Sequence, residues 1–222
     1  MALILIIDSA FQQCLAALGN NEEVIAHELS LVQKDHAAFL QPAIKRICDV
    51  TSIKLSAIDA VAVCNGPGSY TGLRVGLASA KGICYALNKP LILLNTLDVL
   101  AFALQQTSHP QADDLICPMI DARRMEVFTA LFNSRLQVIE KYSSVVTDNT
   151  FLAEKREKHR IIAGGNGSMK LKLIPGFENI IYGIQEYNIH HLASCAATAY
   201  KAGGFADVVY SEPFYLKPVY FR

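Results

Sequence analysis

The sequence predicts an α/β protein of two similar lobes with a cleft between them, each lobe a hairpin-led sheet with helices appended. Three observations lead there. Apolar runs of strand length alternate with stretches of helical periodicity along the chain. The stretch IDSAFQQCLAAL at 7–18 is echoed by IDARRMEVFTAL at 120–131, with four of twelve paired positions identical and Cys14/Val127 and Leu15/Phe128 pairing apolar with apolar. Finally, a chain of 222 residues that is 52% hydrophobic and 18% charged can bury a substantial core, which argues against disorder.

Residues 2–7 read as a strand, with 13–18 and 23–29 continuing as a meander around a Gly19-Asn20-Asn21 turn. From Lys34 to Cys48 the apolar positions 39, 40, 43, 44 and 47 recur at helical spacing, with Pro42 inside predicting a kink. A strand at 58–64, a helix at 72–87, a short strand at 91–94 and a helix at 96–106 follow. The polar stretch QQTSHPQADD then suggests a boundary, dividing the chain into lobes at 1–105 and 106–222. After the second hairpin come strands at 136–140 and 160–163 and helical patterns at 166–173 and 190–202.

Lys plus Arg equals Asp plus Glu at 20 each, which argues against unaided gripping of nucleic acid. Six scattered cysteines without a CxxC pair fit a reducing, cytoplasmic compartment. The opening MALILIIDSA carries no Lys or Arg before its apolar run, and Asp8 ends that run, so it reads as a strand and not a signal peptide. No apolar stretch reaches the length of a membrane span.

The stretch VAVCNGPGSYTGLRVGLASAKG at 61–82 looks most like an active site, because a strand, a glycine loop and a helix N-terminus together can hold a phosphate. It contains no GK[ST] and is therefore not a Walker loop. After Asp8 the residues Ser9-Ala10-Phe11-Gln12-Gln13 include no glycine to let backbone approach phosphates closely. GGNGS at 164–168 follows an apolar strand and reads either as a ligand loop or as a plain strand-to-helix turn. Ser9, Ser69, Cys64 and Cys84 lack a G-x-S-x-G elbow or a histidine nearby in sequence. His190 and His191 are adjacent and project in different directions from a helix, so they chelate poorly.

The 72–87 helix is rich in small residues. Positions 72, 76 and 80 form one ridge, and 78, 82 and 86 form another. Glycine costs about 1 kcal/mol against alanine inside a helix, so close packing must offset it. Either both ridges are internal, or one meets another subunit. EKREKHR at 154–160 reads as a solvated helix end or an RNA contact, and the tail YSEPFYLKPVYFR as rings buried along the domain or offered to a partner.

IIDSAFQQCLAAL, NGPGSYTGLRVGLASAKG, IDARRMEVF and EPFYLKPVYFR, in that order, resemble the TsaB (YeaZ) family within the actin-like ATPase (ASKHA) superfamily. The resemblance implies a duplicated mixed-sheet fold and a non-catalytic partner of the related catalytic subunit TsaD and the ATPase TsaE, completing threonylcarbamoylation (t6A) of adenosine 37 in tRNA. It implies tRNA contact only through the complex, no cofactor or metal of its own, and a surface that can support a homodimer in isolation. By matching position, His36, Phe39, Leu40, Gly72, Val75, Gly76 and Ser79 would form the partner interface. Asp8, Gly66, Gly68, Gly164 and Gly165 would mark a degenerate nucleotide site. TsaD carries a His-x-x-x-His metal pair where this chain has Thr96 and Leu100. The rival readings are a small-molecule kinase of the same superfamily, using Asp8 and Asp121 at a cleft metal, and, behind it, a peptidase.

Overall fold

A computed structural model describes residues 2–32 and 35–217 of the chain. It divides into two compact units, the first comprising 1–96 with 188–214 and the second 97–187 with 215–222. A cut at 105/106 would fall inside a helix, and the first unit takes back a late segment that contiguous lobes would assign to the second.

In the first unit, β1 (Leu3–Asp8), β2 (Cys14–Asn20) and β3 (Glu23–Ser30) form an antiparallel meander. The turn joining β2 to β3 is Asn21-Glu22, with Asn21 at φ 53°, while Gly19 stays in the strand. After α1 (His36–Thr51), β4 (Ala60–Gly66) pairs parallel with β1. After α2 (Tyr70–Leu87), β5 (Leu91–Asn95) extends the sheet to the order β3-β2-β1-β4-β5. Helix α1 runs through Pro42, and its stripe of Leu40, Ala43, Ile44 and Ile47 packs with Leu77, Ala80 and Ile83 of α2 over Leu5 and Ile7. With period two, Ile4 and Ile6 face the other side of the sheet and are fully buried.

In the second unit, α3 (Thr96–Ser108), whose first residue belongs to the first unit, leads to β6 (Leu115–Asp121), β7 (Glu126–Asn133) and β8 (Val138–Val146). A six-residue α4 (Ala153–Lys158), β9 (Ile161–Gly164), a 3-10 turn (Ser168–Leu173) and β10 (Ile181–Tyr182) follow, giving the sheet order β10-β9-β6-β7-β8. Counted within each unit, both sheets run third-second-first-fourth-fifth, so the repeat at 7–18 and 120–131 marks a duplicated sheet plan. The second core gathers Cys117, Met119, Val127, Leu131, Phe151 and Phe177. Finally α5 (Ile189–Lys201), capped by Asn188, packs against β1, β3 and β5 of the first unit.

The described rings of the tail are mixed in burial, with Phe214 half-buried. Tyr210 is 83% exposed and Tyr215 is exposed, while Tyr220 and Phe221 lie outside the described residues.

Candidate functional site: a glycine loop and its helix

Asp8 ends β1, Gly66 ends β4, and Ser69 caps α2 by accepting from Gly72 N at 3.3 Å. The turn after Asp8 sits directly on this loop. Ser69 N donates to Ala10 O at 2.7 Å, Ala10 N to Asp8 Oδ1 at 2.9 Å, and Ser9 Oγ to Gly72 O at 2.8 Å. A Cβ on Gly68 would stand 2.4 Å from Ala10 O, one on Gly72 2.0 Å from Ser9 O, and one on Gly76 2.3 Å from Ser9 Oγ. Gly66, at φ +119°, is closed over by the carbonyl of Phe214, whose N–H bonds Asn65 O. The glycines therefore make room for the chain's own backbone, and the space beside Gly68 is filled from within. Asp8 is 7% exposed and holds its own turn.

The two small ridges of α2 have different environments. Gly72, Gly76 and Ala80 are buried against Ile7 and Ser9, whereas Ala78, Gly82 and Ala86 are exposed, and a Cβ on Gly82 would meet nothing within 4 Å. Of the interface residues expected from sequence, His36, Leu40, Gly72 and Gly76 face inward. His36 is 5% exposed, its Nε2 3.0 Å from Gln12 O. Phe39, Val75 and Ser79 are half-buried. The outward surface is instead a shallow trough of about 500 Å³ lined by Gln41, Leu55, Ala78, Ser79, Gly82 and Ala86. Tyr85, on the same helix, is 80% exposed. The second ridge was the signal for this trough; Gln41 and Leu55 carried none. At the edge of α2, Lys81 Nζ donates to the carbonyls of Val209 and Ser211, both at 2.9 Å, clipping the late segment to the helix.

In the second unit the GGNGS loop closes in the same manner. A Cβ on Gly164 would lie 2.3 Å from Leu104 Cδ2, and one on Gly165, at φ +93°, 2.2 Å from Met119 O. Asn166 Oδ1 accepts from Asp121 N at 2.8 Å. Asp8, Gly66 and Gly68 thus belong to one unit, and Gly164 and Gly165 to the other.

The remaining chemical candidates are occupied structurally. Burial, with a contribution from Asp8, pushes the Cys14 thiol up to about 12; burial pushes Cys84 up to about 11 against a backbone hydrogen bond, and burial, with a smaller contribution from Glu140, pushes Cys117 up to about 12. Thiols held neutral this way are poor nucleophiles. Ser9 Oγ is buried and bonded to Gly72 O. His191 Nδ1 accepts from Asn188 N in the capping box of α5, and burial, then His190, lowers its pKa. Thr96 and Leu100 are buried. Among the described residues no three His, Cys, Asp or Glu side chains group as metal ligands. In the basic stretch, Arg156 lies over the Phe177 ring at 3.9 Å and donates to Asn149 O, while Arg160 Nε donates to Asp114 Oδ1 at 2.8 Å. Both arginines brace their own unit.

Comparison with known proteins adds to this geometry. A family model described as TsaD, tRNA N6-adenosine threonylcarbamoyltransferase, matches residues 30–216. The tRNA threonylcarbamoyladenosine biosynthesis protein TsaB of Bacillus subtilis (strain 168) is 30% identical over 178 residues, 77% of this chain and 74% of that protein. TsaB of Escherichia coli (strain K12) is 34% identical over 127 residues, 57% of this chain and 53% of its own length. In structure, YeaZ from Pseudomonas aeruginosa superposes with a TM-score of 0.80 at 22% identity, over 97% of this chain and all of that one, a likeness of fold.

Proposed function

This chain belongs to the TsaB (YeaZ) family and has its two-lobed, actin-like α/β fold, and from that premise we propose that it serves tRNA threonylcarbamoyladenosine biosynthesis as a non-catalytic subunit. Its partners in this reading are a TsaD-type catalytic subunit, which it activates by docking, and a TsaE-type ATPase, in the cytoplasm. The tRNA is engaged through the complex.

The observation that carries the non-catalytic reading is the filled glycine loop. Phosphate transfer needs backbone N–H groups and space at the helix N-terminus. Here Ser69 N and Gly72 N are bonded to Ala10 O and Ser69 Oγ, and the Ala10 carbonyl stands where Gly68 would admit a ligand. The kinase reading rests on the matched placement of Asp8 and Asp121 at the ends of β1 and β6. It is disfavoured because Asp8 is buried and committed to its own turn. No helix among the described residues is long and apolar enough to cross a membrane.

The docking surface in this reading is the exposed ridge of α2 with its trough, and the inward residues His36, Leu40, Gly72 and Gly76 hold that ridge in place. A partner of the same fold can lay a helix there, and without one a second copy of this chain can. The test is reconstitution of tRNA threonylcarbamoylation from this chain, TsaD, TsaE, tRNA, ATP and a source of the threonylcarbamoyl group. We expect no turnover from this chain alone, loss of turnover when it is omitted, and no Mg-ATP binding to it alone by isothermal titration. Gly82→Leu should abolish co-purification with TsaD while leaving the melting temperature unchanged. Co-purification at parental affinity would place the interface elsewhere, and micromolar ATP binding by the chain alone would bring the kinase reading forward.

A further inference from the structure

The hairpin turn joining β6 to β7 carries an arrangement that folding alone does not explain. Arg123 and Arg124 both adopt left-handed backbone conformations, at φ 69° and 49°. Such positions in hairpin turns favour Gly, Asn and Asp, because a larger L-residue meets its own carbonyl there. Two arginines in succession cost stability that Asn-Gly would not.

The turn is nevertheless firmly braced. Asp121 Oδ1 accepts from Arg123 N at 2.6 Å, Glu126 N donates to Arg123 O at 3.1 Å, and Ala122 N donates to Glu126 O at 3.0 Å. Thr147 donates twice to Met125 O, from its N–H at 2.7 Å and its hydroxyl at 2.8 Å. Asn166 of the GGNGS loop holds Asp121 N. The backbone that presents the two arginines is thus fixed from both strands and from a neighbouring loop.

The charges of the turn sum to a cationic excess: the Arg123 and Arg124 side chains act on Asp121 and Glu126 only through space, without a direct bond to either. The hairpin has two carboxylates, and each already has a lysine. Lys170 Nζ lies 2.7 Å from Asp121 Oδ1 and also donates to Glu126 O at 2.8 Å, while Lys217 pairs with the Glu126 carboxylate. Four cations therefore surround two anions. Arg123 and Arg124 are exposed, and among the described residues neither guanidinium makes a hydrogen bond or ion pair. In a chain with no net charge, this is a local excess on a rigid mount.

We propose that the Arg123–Arg124 turn is a phosphodiester contact for RNA, gripping the tRNA backbone within the assembled complex. The proposal rests on the reading given under Proposed function. Two guanidiniums on a pinned turn suit a backbone grip that positions an RNA without reading its sequence. Two contacts alone give weak binding, so the contact operates in the complex and not in the isolated chain.

The test measures tRNA binding to the reconstituted complex by fluorescence anisotropy across a salt series, with parental chain and with Arg123→Ala/Arg124→Ala. We expect binding weakened about tenfold at moderate salt, and a log–log salt slope shallower by about 2, one per lost phosphate contact. Arg123→Lys/Arg124→Lys should keep the slope, and Arg124→Gly should melt no lower than the parent while losing affinity, since glycine relieves the left-handed position. An unchanged slope in the alanine variant overturns the proposal. So does loss of co-purification with the catalytic subunit, which would make the turn a protein contact, or an effect on ATP affinity with tRNA binding intact. Failure of the parental complex to modify tRNA would instead count against the functional reading itself.

Discussion

In the first unit the connection after the fourth strand is an 18-residue helix; in the second, the same connection is a six-residue 3-10 turn. The preceding connection is 16 residues of helix in one and six in the other, and the fifth strand shrinks from five residues to two. One sheet plan has therefore been covered in two ways. Long helices bury an apolar stripe and leave an outward face free, as α2 does with Ala78, Gly82 and Ala86. Short connections have no second face, and the second unit is held partly by charged side chains: Arg156 clasps the Asn149 carbonyl, Lys170 the Glu126 carbonyl, and Arg160 the Asp114 carboxylate. The unit with spare helix surface is suited to docking, and the unit with braced loops to presenting fixed charge.

If packing governs the first unit, its largest sensitivity lies where α2 meets the end of β1. Gly72→Val drives a side chain into the Ser9 carbonyl and should cost about 3 kcal/mol, lowering the melting temperature by roughly 10 °C. Ten residues along the same helix, Gly82→Ala should raise stability by about 0.5–1 kcal/mol, since its Cβ meets nothing. A similar loss at both sites would erase the distinction between the two ridges. In the second unit, Gly165→Ala combines a left-handed φ with contact on Met119 O, and a loss of about 2 kcal/mol is expected in denaturant titration.

Charge should matter more in the second unit, where two carboxyl groups have pKa shifts of opposite direction. Hydrogen bonding from Arg160 holds the Asp114 carboxyl below its usual range, so its contribution is present above the unfolded pKa and is lost as pH falls through the lower folded value. Asp114→Asn should therefore lower the melting temperature at neutral pH, with the gap to the parent closing as pH drops below about 4. Asp98 is the converse. Burial raises its pKa against the hydrogen bond from Tyr142, so its contribution is present below the unfolded pKa and is lost as pH rises through the folded one. Asp98→Asn keeps an acceptor for Tyr142 and should raise the neutral-pH melting temperature slightly, the smallest of these effects. If both variants shift stability in the same direction at neutral pH, the electrostatic account of this unit fails.

Much of the strand plan was legible because alternation and periodicity are local, and the repeat marked where the plan restarts. The glycines at 72 and 76 are legible as a close-packing ridge and those at 66 and 68 as a phosphate-like loop; what approaches them is not, because Ser9, Ala10 and Phe214 are distant in sequence. Periodicity grouped 72, 76 and 80 on one face of α2 and 78, 82 and 86 on another, yet did not say which face turns inward. Matching to the family puts His36 and Leu40 at a partner interface, and a matched position does not show that both side chains turn into the core. The membership of 188–214 in the first unit left no local mark at all.

That late return has a consequence for how the chain acquires its structure. Helix α5 covers one face of a sheet whose last strand, β5, is completed long before α5 is synthesised, and Leu91 then pairs with Ala206 across that interval. On the ribosome, the apolar side of the first sheet that α5 covers waits uncovered while the whole second unit emerges, a window in which a chaperone or an unwanted neighbour can bind it. Contacts so far apart in sequence form slowly, so closing the first unit should be the last event of folding, with Lys81 fastening the strap only then.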